Sequence, residues 1–284
     1  MTGSSRRIAI KRIAVAIDCS PHSRASLFAA AEIAGMLEAE LLGFFVEDIN
    51  LIRTAELPFS QEIHLHTARS EPLDALKLER LLKLQAKEAH ELLIQTAKRF
   101  GIPHRFRTLR GLVPAEILSA SLETDLLAMG RSGKTPLCGR SLGSTARKAI
   151  KEAKTNILLT RSGFTPDSPL LLLYDGSTGA KRALETAIGL ARRASAVHLF
   201  LIGNSAGKRA SLREEAETII GGRIRKKEFH MIPWTDSKML AQCIHLTEPG
   251  LLVLSDNTET VSPETVYGLI DATDYPVLLV RDSG

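Results

Sequence analysis

The chain has 284 residues, 44% hydrophobic and 24% charged, a balance that excludes disordered, collagen-like and disulfide-scaffold proteins. At roughly 150 residues per domain this length predicts two domains, with one large barrel as the competing reading. A net charge of +5 suits anionic partners, but 5% aromatic residues and the lack of a dense basic block leave no stacking platform for nucleic acid.

In chain order, MTGSSRRIAIKRIAV sets basic residues before a short apolar run interrupted by Lys11 and Arg12, without a small-residue cleavage site, and reads as a leader into a strand. Strands are expected at 13–18, 40–46, 104–109, 126–129 and 156–160, with helical patterns between them. The first helix carries Leu27, Ala30, Ala34 and Leu37. A long helix over 72–100 follows from the recurrence of Leu78, Leu81, Leu82, Leu92, Leu93 and Phe100, stopped by Gly101 and Pro103. Residues 48–70 are an insertion expected to be loop or lid. SGFTPDSP then separates two halves with turn-forming residues and two prolines.

The second half repeats the first, with strands at 170–174, 197–202, 227–232, 251–255 and 277–281. RIAVAIDCSPHSRASLFAAA matches LLLLYDGSTGAKRALETAIG, so Asp18 and Asp175 hold corresponding places after the first strand of each half. TNILLTRSG and YPVLLVRDSG close the halves alike. Alternation of strand and helix predicts two tandem α/β domains, each a five-stranded parallel sheet with helices on both faces, over residues 1–162 and 170–284 with 163–169 as linker.

After the fourth strand comes LLAMGRSGKTPLCGRSLGSTARKAI, in which Gly130, Gly133, Gly143 and Ser144 lead into a helix over 144–152. Glycines let backbone amides approach an anion, and the helix start adds unpaired N–H donors and partial positive charge, a setting for phosphate. On spacing alone, a glycine-rich turn that only caps the helix is the alternative. The segment is neither a Walker A loop nor the dinucleotide fingerprint, which would follow the first strand. Asp18, in Asp18-Cys19-Ser20-Pro21, is placed instead to accept hydrogen bonds from adenine or ribose at the carboxyl edge of the sheet.

Together, Gly130-x-x-Gly133-x9-Gly143-Ser144, Ile-Asp-Cys-Ser, Phe-Val-Glu-Asp and Asp-Leu-Leu-Ala-Met-Gly resemble the nucleotide-binding branch of the universal stress protein family. The repeated halves resemble its tandem members. That resemblance implies a Rossmann-like, adenine nucleotide alpha hydrolase-like fold, arranged as an intrachain pseudo-dimer whose last strands meet, and ATP, with or without Mg2+, as the ligand. It places Asp18 on the adenine side with Ala16 in the same pocket, and Val46 against adenine or ribose. Met129 and Gly130 meet the ribose and first phosphate, Gly133 permits the tight loop, and Gly143, Ser144 and Thr145 take the distal phosphates. Arg131, Lys134 and Arg140 lie in or beside the loop, either assisting the triphosphate or simply solvated. Glu47 and Asp48 are either magnesium-side acids or solvated ones.

The second half departs from this pattern. Ser255 and Asp256 are read where Met-Gly would stand, the following loop is short, and Asp256, Glu259 and Glu264 would repel phosphate. One nucleotide site per chain is therefore expected.

Three scattered cysteines, Cys19, Cys138 and Cys243, fit neither a disulfide framework nor a zinc site and predict a reducing cytoplasm. Cys19, at the pocket edge, is read as a small buried residue before a redox one. His64 and His66 have two-ligand spacing on a strand but no diagnostic third partner, so no metal is assigned. No nucleophile triad, paired-carboxylate signature or HExxH sequence designates a catalytic residue, so any ATP hydrolysis is expected to be slow. The favoured reading is an ATP-binding cytoplasmic stress-response protein with a nucleotide-dependent regulatory role. Its rivals are an interaction module that binds no nucleotide and a slow ATPase. Protein partners are unknown, a homodimer beyond the pseudo-dimer is allowed, and neither nucleic acid nor membrane is expected, since no apolar run reaches roughly eighteen residues.

Overall fold

Capping chemistry sets where most helices begin. The computed structural model describes residues 10–64, 69–132, 142–161, 165, 167–191, 194–233, 236–273 and 275–281. Its first half runs β1 (Arg12–Ala16), α1 (Pro21–Leu37), β2 (Glu40–Asp48), α2 (Ile49–Ala55), β3 (Gln61–His64), β4 (Arg69–Pro72), α3 (Ala75–Phe100), β5 (His104–Gly111), α4 (Val113–Ser121), β6 (Leu126–Gly130), α5 (Ser144–Glu152) and β7 (Asn156–Thr160). The second runs β8 (Leu170–Tyr174), α6 (Thr178–Leu190), β9 (Val197–Ile202), α7 (Ala206–Ile220), β10 (Lys227–Ile232), α8 (Ser237–His245), β11 (Leu251–Ser255), α9 (Pro263–Ala272) and β12 (Val277–Val280). The hydroxyl of Ser20 accepts from Ser23 N to start α1, and that of Ser177 accepts from Ala180 N to start α6, so the repeated turn residues do the same work in both halves.

One sheet of ten strands carries the molecule, in the order β10-β9-β8-β11-β12-β7-β6-β1-β2-β5. Each half supplies five parallel strands in the same relative order. The two sets join where β12 meets β7 antiparallel, with Leu278 beside Leu158. This junction removes two exposed sheet edges and realises the expected pseudo-dimer of tandem α/β units. Apolar side chains fill both faces. One layer packs Leu27, Ala34 and Leu93 of α1 and α3 together with Leu184 and Leu212 of α6 and α7. The other packs Ile117 and Ile150 of α4 and α5 with Ile244 and Leu269 of α8 and α9. Gly43 allows α3 to lie close on β2, since a Cβ there would meet Leu93 at 2.7 Å.

The structure corrects the sequence reading in the insertion. Residues 48–70 are not plain loop: Asp48 caps the short helix α2 through Asn50 N, and β3 and β4 pair antiparallel. Ile52 and Ala55 of α2 are buried, so packing orders a segment too short to announce itself by periodicity. The long helix starts at Ala75 and not at residue 72, because Asp74 caps it by accepting from Leu76 N and Lys77 N.

Candidate functional site

In the first half β2 and β5 lie on one side of β1, and β6 and β7 on the other. Such a reversal of direction opens a crevice at the carboxyl ends of the strands. A cleft of about 550 Å³ occupies that place, within the roughly 300–1,000 Å³ of small-molecule sites. Ala16 at the end of β1, Ile17 and Asp18 just after it, Val46 and Asp48 of β2, Met129 and Gly130 of β6, and Gly143, Ser144 and Thr145 at the start of α5 line it. Gly130 permits α1 to approach β6, because a Cβ there would lie 2.8 Å from the His22 Cβ.

Two features make this cleft receptive to a polar ligand. Asp18 Oδ1 accepts from Ser20 N at 2.9 Å, whereas among the described residues no hydrogen bond reaches its Oδ2. At the far wall, Gly143 stands at the N-cap of α5 without a side-chain cap, and no acidic residue occupies the first turn. The first-turn N–H groups of a helix lack intrahelical acceptors and carry the positive end of its dipole, so this wall attracts anions. Gly143 N donates to Arg131 O at 2.8 Å, which ties the start of α5 to the end of β6.

The same place in the second half is filled. Asp175, the counterpart of Asp18, is buried. Its Oδ1 accepts from Ser177 N and Ser177 Oγ, and its Oδ2 from Glu259 N and Thr260 N, both at 2.9 Å. The segment after β11 thus donates its amides to the carboxylate beneath it. Gly179 lets it lie down, since a Cβ there would come within 2.1 Å of Asn257 O. Among the described residues, the cavity between Asp175, Ile202, Ser255 and Val266 holds about 10 Å³, close to the smallest space that holds one water. Helix α9 is also self-satisfied: Ser262 accepts from Thr265 N, and Glu264 sits in the first turn.

The sequence model described as the Universal stress protein family matches residues 9–161, more than half of the chain. This chain belongs to the universal stress protein family. It is 29% identical to a universal stress protein of Methanocaldococcus jannaschii over 153 residues, 53% of this chain and 82% of the relative. A universal stress protein from Archaeoglobus fulgidus superposes with a TM-score of 0.69 at 19% identity, over 96% of this chain and 98% of that one. A functionally unknown protein from Pseudomonas aeruginosa PAO1 gives a TM-score of 0.63 at 16% identity, over 98% and 94%. Both solved structures share the fold across both halves.

In this universal stress protein the cleft brings together Ala16, Asp18, Val46, Met129, Gly130, Arg131, Gly143, Ser144 and Thr145. Gly133, Lys134 and Arg140 lie outside the described residues, as do His66 and Cys138; the backbone of His64 ends β3. The Arg131 guanidinium is a correction. It is buried and not solvated, donating to Ile270 O at 2.7 Å and Tyr275 O at 3.1 Å across the junction of the halves. Burial pushes its pKa below the ordinary guanidinium value, with Asp271 opposing and Arg161 adding to the fall. Its charge sits instead near the C-terminus of α9, where a cation is favoured. Glu47 is a second correction: it is buried against Arg110, with Nε and Nη2 each 2.7 Å from Oε2, so of the two acids only Asp48 lines the cleft.

Register corrects one further reading. Leu126 pairs with Ile13 and Leu251 with Leu170, so Leu254 and Ser255, not Ser255 and Asp256, stand where Met129 and Gly130 do. Sequence reasoning missed Gln85 and Leu82 of α3, Leu51 of α2, and Val113 and Ile117 of α4, which also line the cleft. Only the folded chain brings these helices over the strand ends. Cys19 is partly buried, with Sγ 3.6 Å from Gln85 O. Among the described residues no helix is long and apolar enough to cross a membrane.

Proposed function

We propose that the first half of this universal stress protein binds one adenine nucleotide, ATP, and that nucleotide occupancy regulates the protein. The observation that carries this reading is the contrast between an open, amide-lined cleft in one half and a closed one in the other. Asp18 Oδ2 would accept from the adenine amine, and Val46 would pack on the ring or ribose. The amides of Ser144 and Thr145 would hold phosphate oxygens against the positive end of α5. Asp48 is the acid on hand for a magnesium ion accompanying the phosphates. A ligand regulates only by binding one state of the protein better than another.

Calorimetric titration with ATP tests this on the wild-type chain and Ser144→Glu. A carboxylate at the first helical position repels phosphate yet favours the helix itself. The expected result is ATP affinity reduced by about 30-fold, roughly 2 kcal/mol, with an unchanged or higher melting temperature. Equal affinity in the two chains contradicts the assignment.

A further inference from the structure

At the far edge of the sheet, remote from either strand-end cleft, edge strand β10 runs parallel to β9 with Glu228 beside His198 and His230 beside Phe200. Alternation along both strands directs residues 198 and 200 and residues 228 and 230 to one face. There the His198 Nδ1 lies 3.0 Å from His230 Nε2 and 3.6 Å from Glu228 Oε2, and one ligand atom from each residue falls within 4.8 Å of the others. We propose that His198, His230 and Glu228 form a binding site for a divalent transition ion, with zinc the ion that fits best.

The geometry and the donor set agree. Zinc holds imidazole nitrogen at about 2.0–2.1 Å, so two donors of one tetrahedral ion stand about 3.3 Å apart, close to the separations already present. Two imidazoles and one carboxylate suit zinc or a neighbouring transition ion, whereas magnesium and calcium favour all-oxygen sets. The site is partly preformed. His198 is buried, and the His230 ring stacks on Phe200 with centroids 4.8 Å apart and planes 20° apart, which fixes the direction of its nitrogens. Glu228 is exposed and leaves an entry path on the solvent side, with room in the coordination sphere for water. A bound ion would tie the edge strand β10 to its neighbour in the sheet, β9.

The competing account is a plain hydrogen bond in which one imidazole donates to the other. Cobalt chloride titrated into the tag-free, chelator-treated full chain separates the two. The expected result is a visible absorption band of low-symmetry cobalt saturating at one ion per chain and displaced by zinc, with the His198 and His230 imidazole NMR signals broadened. Glu228→Gln should weaken cobalt binding at least tenfold and His230→Gln should abolish the band, with far-UV circular dichroism and ATP affinity unchanged. His198 is left intact because its burial puts folding at risk. Failure of the wild-type chain to take up either ion at micromolar concentration overturns the proposal. So does uptake that leaves those two imidazole signals sharp, or binding equal in both variants, since the ion would then sit elsewhere.

Discussion

The two halves use one turn for opposite ends. Asp18-Cys19-Ser20 and Asp175-Gly176-Ser177 follow equivalent strands, and each opens a Ser-capped helix. In the second half, amides of the segment after β11 bond to Asp175, and α9 is capped by its own serine. In the first half Asp18 Oδ2 meets no donor among the described residues, and α5 begins without a side-chain cap. Whether such a crevice is a site therefore depends less on the sheet than on where a few amides of one connection are spent. A chain that satisfies those groups internally closes the crevice; one that leaves them open prepares it for an anion.

That contrast can be broken from either side. The largest effect is expected for Asp175→Ala, which strips Ser177, Glu259 and Thr260 of their acceptor and should cost about 3 kcal/mol in urea denaturation. The matching Asp18→Ala should cost less than about 1 kcal/mol of stability without ligand, while weakening ATP binding about tenfold in calorimetry. Equal destabilisation by the two would erase the distinction between a structural and a ligand-facing carboxylate. Arg131→Met leaves the carbonyls of Ile270 and Tyr275 without their donor and should lower stability by about 1–2 kcal/mol, with ATP affinity within about twofold. A large loss of affinity would return that guanidinium to the phosphates. The smallest effect concerns the turn itself. Cys19 holds a left-handed φ of 63°, where the second half has Gly176 at 84°. Cys19→Gly relieves strain but adds unfolded-chain entropy, so the melting curve should indicate a change of no more than about 1 kcal/mol.

Much of the architecture was legible because alternating strands and helices, the repeated Asp turn and the Gly143-Ser144 helix start are local signals. Three things were not. The Ser255 register slipped by one because Leu251–Ser255 is buried throughout, and a strand covered on both faces has no two-residue alternation to fix its phase. The destination of Arg131 was hidden because its acceptors, Ile270 and Tyr275, belong to the other half and approach only when β7 and β12 pair. The His198, Glu228 and His230 cluster needs the β9–β10 register, which no spacing within either strand discloses. The cleft-lining positions along the strand ends were readable for the converse reason: each follows directly from its place at the end of a strand or the start of a helix.

The central proposal is one nucleotide site per chain, in the first half, and nucleotide stoichiometry tests it most directly. Equilibrium dialysis of the full chain against labelled ATP should saturate at one nucleotide per chain, and the bound label should largely disappear in Ser144→Glu at the same concentrations. Saturation at two per chain, or one nucleotide retained undiminished in that variant, would contradict the account.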